Sequence, residues 1–184
     1  MDAITLLRED HATARELFRR FQAAGLDAHK TKRKIVDRII EELAVHAAIE
    51  EQVFYPAVRS AVKNSDNDVL ESLEEHHIVK WTLSELEDMD PLDERFDPKV
   101  GVLIENVRHH MREEEGEMFP RVRKALGTNA LRELGQRMLA AKEAAPTRPH
   151  PRSPDTPPGN LIAAPVAAVL DAGKEAVAKL RGRK

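Results

Sequence analysis

The sequence predicts an all-α fold: an up-down-up-down four-helix bundle built as a duplicated αα-hairpin, with an additional C-terminal helix and a tail. Three observations predict it. Apolar residues recur at helical spacing through four long stretches. Aromatic residues make up 4% of the chain and charged residues 33%, a composition that favours helices over a β-sandwich. Residues 46–62, HAAIEEQVFYPAVRSAV, also align without a gap on residues 110–126, HMREEEGEMFPRVRKAL. That alignment sets His46 on His110, Glu50 on Glu114, Glu51 on Glu115, Tyr55 on Phe119, Pro56 on Pro120 and Arg59 on Arg123.

The first helix is expected over residues 2–24, with Ile4, Leu7, His11, Ala14, Phe18 and Phe21 on one stripe and Gly25 as its stop. The second runs over residues 31–62, its stripe carrying Ile35, Ile39, Leu43, His46, Glu50 and Val53, with a kink or interruption at Pro56. Residues 64–67, Asn-Ser-Asp-Asn, form a turn that caps a third helix over residues 66–88. Pro91 and Pro98 bracket a loop. The fourth helix spans residues 99–126 and aligns Leu103, Val107, His110, Glu114 and Met118. Gly127-Thr128-Asn129 starts a short fifth helix ending near residue 144, which completes a bundle domain over residues 1–144.

Six of the eleven prolines fall in residues 145–159, so this segment reads as an extended linker outside a packed core. Residues 160–184 read as a tail with an amphipathic helix that docks on its own subunit or on a neighbour in a homo-oligomer. From residue 145 onward there are seven basic and three acidic groups; this +4 leaves −7 on the body of a chain whose net charge is −3. An acidic body argues against nucleic acid as a partner. With no cysteine, disulfides, thiolate metal sites and nucleophilic cysteine are excluded. No secretory signal and no membrane span are visible, and the expected location is the cytoplasm.

A histidine and a carboxylate four residues apart share a helix face, roughly 6 Å apart along the axis, a reach that suits ligation of one metal ion. Two copies of the unit suggest two ions held together. His11 precedes His46 by 35 residues, and His76 precedes His110 by 34, so each half is a helix with one inward histidine, a loop, and a helix with His-x-x-x-Glu. All six residues (His11, His46, Glu50, His76, His110 and Glu114) lie on the apolar stripes of their helices, where a charge is costly unless paired or metal-bound. His77 and His109 compete with their neighbours, since one residue turns a side chain by about 100°. The offsets favour His76 and His110, with exchange of His76 for His77 left open. His29 and His150 are expected to be exposed, and Tyr55 and Trp81 to pack in the core.

The order H…HxxxE…H…HxxxE, with Tyr-Pro or Phe-Pro after each carboxylate, resembles the hemerythrin-like family, the HHE cation-binding domain, over residues 1–126. The resemblance implies a non-haem centre of two iron ions, oxo- or hydroxo-bridged, with His11, His46, His76 and His110 as terminal ligands and Glu50 and Glu114 as bridges. Imidazole and carboxylate donors also suit iron or manganese. The oxygen carriers of the family have a second histidine one turn away on the third helix; here the positions four from His76 are Ser72 and Lys80. The carriers also use His-x-x-x-x-Asp on the fourth helix, where this chain has His110-x-x-x-Glu114. Fewer protein ligands leave more open positions, which suits redox turnover of hydrogen peroxide in a catalase-like disproportionation better than reversible oxygen carriage. The alternatives are an iron or oxygen sensor, and a protein handling nitric oxide or donating iron for repair.

Overall fold

The computed structural model describes residues 1–160, 163, 167–169 and 171, and among these there is no strand. Helix α1, Ala3–Ala23, starts at Asp2, whose carboxylate accepts the Thr5 N–H at 2.8 Å. It ends, as Gly25 suggests, when the Ala24 N–H turns back to the Phe21 carbonyl. Helix α2, His29–Ile49, begins two residues earlier than periodicity alone indicates, with His29 Nδ1 3.1 Å from the Pro91 carbonyl. A π-helical turn, Glu50–Phe54, joins α2 to α3, Tyr55–Ala61. The interruption thus begins six residues before Pro56, which falls in the first turn of α3, where its missing N–H is tolerated.

Helix α4, Asp66–Asp88, follows a turn in which Asn64 adopts φ 56°. No side chain caps its start, contrary to expectation; Ser65 Oγ instead donates to the Val62 carbonyl at 2.8 Å and closes α3. Helix α5, Phe96–Glu113, absorbs Pro98 into its first turn, so the loop is shorter than the prolines imply. A second π turn, Glu114–Met118, leads into α6, Phe119–Glu143. Gly127, at φ 70° and ψ 177°, breaks α6 where the fifth helix was expected to begin. The rod beyond it lies against the start of α1 so closely that a Cβ at Gly135 would sit 2.8 Å from the Met1 carbonyl.

Every residue of the predicted stripes on the first, second and fourth helices is buried. The apolar core is divided. One cluster gathers Phe18, Phe21, Ile39, Leu83, Phe96 and Leu103; the other gathers Ile4, Leu7, Phe54, Tyr55, Phe119 and Met138. Along each long helix the boundary falls at a histidine: His11, His46, His76 or His110.

Residues 145–159 are proline-rich and mostly non-helical, but they run along the bundle rather than stand clear of it. Ala145, Pro149 and Asn160 are buried, and the Arg148 guanidinium pairs with Glu87 of α4. The helix expected over residues 161–180 lies almost wholly outside the described residues. No helix among the described residues is long and apolar enough to cross a membrane.

Candidate metal centre

The polar layer between the two apolar clusters holds His11, His46, Glu50, His76, His110 and Glu114, all buried. Glu50 Oε2 lies 3.2 Å from His46 Nε2 and 3.4 Å from His76 Nε2. Glu114 Oε2 lies 3.2 Å from His11 Nε2 and 3.5 Å from His110 Nε2. Each carboxylate therefore touches one imidazole from each hairpin. The donor atoms fall into two groups, His11, His46, Glu50 and Glu114, and Glu50, His76 and His110. The two groups share Glu50, and each could hold a metal ion.

The Nδ1 atoms fix which nitrogens are free. His11 Nδ1 is 2.7 Å from Glu115, His76 Nδ1 3.0 Å from Glu51 and His110 Nδ1 2.7 Å from Glu75. An imidazole that donates through Nδ1 turns a lone pair outward at Nε2. The His76 and His110 Nε2 atoms face each other at 3.2 Å, and Tyr55 Oη lies within reach of both. His11 Nε2, His46 Nε2, both Glu50 oxygens and Glu114 Oε2 are buried without a hydrogen-bond partner. Unsatisfied acceptors in such number are costly in a core, and all of them would be satisfied by cations. His46 Nδ1 is 3.6 Å from Asp10 Oδ2, too long for a hydrogen bond but close enough for attraction.

The outer carboxylates repeat with the ligand pattern. Asp10 and Glu75 directly precede His11 and His76, and each serves the histidine of its partner helix in the same hairpin. Glu51 and Glu115 directly follow the inner glutamates, and each serves a histidine of the other hairpin. Lys142 stands behind Asp10, Arg15 behind Glu115 and Lys80 behind Glu51. Burial works against ionisation of Glu51, but His76 and Lys80 hold its carboxyl below the usual range. Glu51 and Glu115 align in the sequence, but no spacing within it marks them as supports for the opposite hairpin's histidines.

Electrostatics in the layer are strained without a cation. Burial, then the neighbouring Glu114, pushes Glu50 well above the ordinary carboxylate range. Burial also opposes charge on Glu114, but His110 and His11 hold it below that range. Burial lowers His46 to about 4, which keeps its imidazole neutral.

Both π turns begin at an inner glutamate. The Tyr55 N–H donates to the Glu50 carbonyl, and the Phe119 N–H to the Glu114 carbonyl, in i→i−5 register. The extra residue in the turn brings position 55 back over Glu50, where an α-helix would rotate it about 140° away. Tyr55 Oη then reaches Glu114 Oε1 at 3.1 Å, His76 Nε2 at 3.2 Å and His110 Nε2 at 3.4 Å. Tyr55 thus belongs to the site as well as to the core. Trp81, also expected in the core, is exposed and donates to the outward-facing His77 at 3.0 Å. His109 is exposed beside Glu113. His29 and His150 are half-buried, the latter against Asp171.

Lys80, one turn after His76, directs its Nζ onto both oxygens of Glu51 at 2.9 and 3.0 Å. The four histidines line a cavity whose apolar wall includes Ala14, Leu43, Val79, Val107 and Met111.

The family model of the hemerythrin HHE cation binding domain matches residues 2–122. An uncharacterized hemerythrin-like protein of Schizosaccharomyces pombe is 26% identical over 164 residues, covering 89% of this chain and 80% of that protein. A DNA nickase of Nostoc sp. is 29% identical over 142 residues; the match takes in 77% of this chain but only 39% of the nickase. A crystal structure of an HHE cation binding domain-containing protein from Mycobacterium kansasii matches with a TM-score of 0.66 and 26% identity, covering 78% of this chain and 86% of that one. With the family model spanning most of the helical body and a bundle of His and Glu donors at its centre, the chain belongs to the hemerythrin HHE cation-binding family.

Proposed function

We propose that the chain holds two iron ions and disproportionates hydrogen peroxide at them, as a cytoplasmic defence against oxidative stress. In this reading His11, His46, His76, His110, Glu50 and Glu114 would hold the two ions. The observation that carries it is the donor set: four imidazole nitrogens and two carboxylates, with the position one turn beyond His76 taken by a lysine that faces Glu51. Such a set leaves room for a small oxidant on both ions. When bound, an iron pair would supply a two-electron couple, through which one peroxide is oxidised to dioxygen and two protons while a second, with two protons, is reduced to two waters.

The protein's part is orientation, exclusion and proton placement. The Nδ1 bonds to Glu51, Glu75 and Glu115 aim three Nε2 atoms inward and make them better donors to a cation. Apolar walls in the cavity beside the histidines favour a small neutral molecule over an anion. Burial, then Glu114 and Glu50, pushes the Tyr55 phenol well above its ordinary value. Tyr55 therefore acts as a hydrogen-bond donor next to the open positions and not as a base.

An oxygen electrode tests the reading. Iron-loaded protein should release about one dioxygen for every two peroxides through repeated additions, as the disproportionation requires. A spectral change on the first addition, with no oxygen released thereafter, would support the sensor instead.

A further inference from the structure

The proline after each inner glutamate removes a donor from the π turn. With the Tyr55 N–H on the Glu50 carbonyl, the next donor in that register would be residue 56, a proline without an N–H. The Glu51 carbonyl therefore needs another partner. Its partner comes from 109 positions along the chain: Asn160 Nδ2 donates to it at 3.1 Å, in a buried position. The same amide group bonds the Asp155 carbonyl at 3.1 Å, which fixes its orientation.

The segment that carries Asn160 is strapped to α4. Arg148 pairs with Glu87, the Arg148 N–H and His150 Nε2 each lie 3.1 Å from Asp171, and the Arg152 guanidinium sits 5.8 Å over the Trp81 ring. Glu87 and Trp81 lie on the helix that carries His76, whereas Asn160 holds the turn that carries Glu50 and Glu51. The strap thus ties together the two elements that meet at His76. In the other hairpin Pro120 leaves the Glu115 carbonyl in the same position, and no side chain among the described residues donates to it.

We propose that Asn160 is a positioning residue for the metal centre: it locks the Glu50–Phe54 turn, and so sets the Glu50 and Glu51 carboxylates against His76. The two metal positions then differ in how firmly the protein holds them, the His76–His110 side depending on the strap. The proposal rests on the reading of the polar layer as a metal centre, but its backbone part can be tested without metal.

The test uses the full chain with Asn160→Asp and Asn160→Ala. Aspartate keeps the shape and packing of asparagine but presents no donor to the carbonyl. In metal-free protein, amide exchange in residues 50–54 should quicken about tenfold in both variants, while residues 114–118 serve as an internal control and stay unchanged. In iron-loaded protein, release to a chelator should split into two phases, one ion leaving roughly tenfold faster. Wild-type behaviour of Asn160→Asp in both measurements would overturn the proposal, as would equal acceleration of exchange in the two turns. Wild-type protein that binds no iron would remove the functional reading, while the exchange comparison would still decide whether Asn160 locks the turn.

Discussion

Tyr55 Oη lies 3.1 Å from Glu114 Oε1, so the phenol of one repeat reaches the carboxylate of the other. Its duplicate, Phe119, has no hydroxyl and stacks against His11 with ring centroids 5.8 Å apart. At this duplicated position the pseudo-twofold arrangement is broken by one oxygen, placed on the His76–His110 side. Tyr55→Phe should keep both metal ions and lower peroxide turnover by roughly 100-fold, the low end of the range for loss of a positioned proton-bearing group. Iron content measured beside oxygen evolution checks it; unchanged turnover would remove Tyr55 from the chemistry.

Metal content should follow the inward residues. Glu50→Ala and Glu114→Ala should each lose most of a two-ion complement, because each carboxylate meets imidazoles from both hairpins. His77→Ala and His109→Ala should retain it, as both rings are exposed. Elemental analysis decides, and full iron in Glu114→Ala would sink the assignment.

Acidity gives a third outcome. Burial and Glu114 raise Glu50 in the metal-free protein, so the folded state keeps a proton that the unfolded chain releases. Stability from this group is present below about 4.5 and declines as pH rises towards the folded value. His46 acts oppositely: held down to about 4 by burial, it costs stability as pH falls from 6.5 to 4. The two trends oppose each other in mildly acidic solution. Glu50→Gln should therefore raise the melting temperature of metal-free protein by several degrees at pH 7, on the scale of a relieved buried polar group, with little change at pH 4. Metal binding in mildly acidic solution should also release the Glu50 proton, which calorimetry in two buffers of different ionisation enthalpy will detect.

Lys80→Met tests the outer layer. It leaves Glu51 buried with His76 Nδ1 as its remaining side-chain partner, so the carboxyl should become harder to ionise and His76 less firmly aimed. Loss of such an outer partner costs about 10- to 100-fold in metal affinity. Competition with a chromophoric chelator measures this, and wild-type affinity would show that Lys80 is dispensable to the centre.

The bundle and the convergence of the six inward residues are legible because both rest on local periodicity. His11 falls on a stripe with Leu7 and Phe18, and burying those side chains forces the imidazole inward. Tyr55 escapes the same reasoning because a period of 3.6 residues fails across a π turn, and nothing in a run of residues announces the slip before its prolines. Ser65 closes the preceding helix instead of opening the next, a choice between two equally near backbones. Asn160 is the hardest case, since its partner is a carbonyl 109 residues away and a backbone acceptor leaves no mark in the sequence.

The division of the core at the four histidines bears on how the molecule comes apart. Apolar burial holds each end of the bundle together, yet between the ends lies a band of buried carboxylates and imidazoles, several of whose polar atoms have no hydrogen-bond partner. A metal-free chain is then two small folding units sharing four rods, with cooperativity weakest at the band. Loading the band would fuse them, so that melting passes from two overlapping transitions to one.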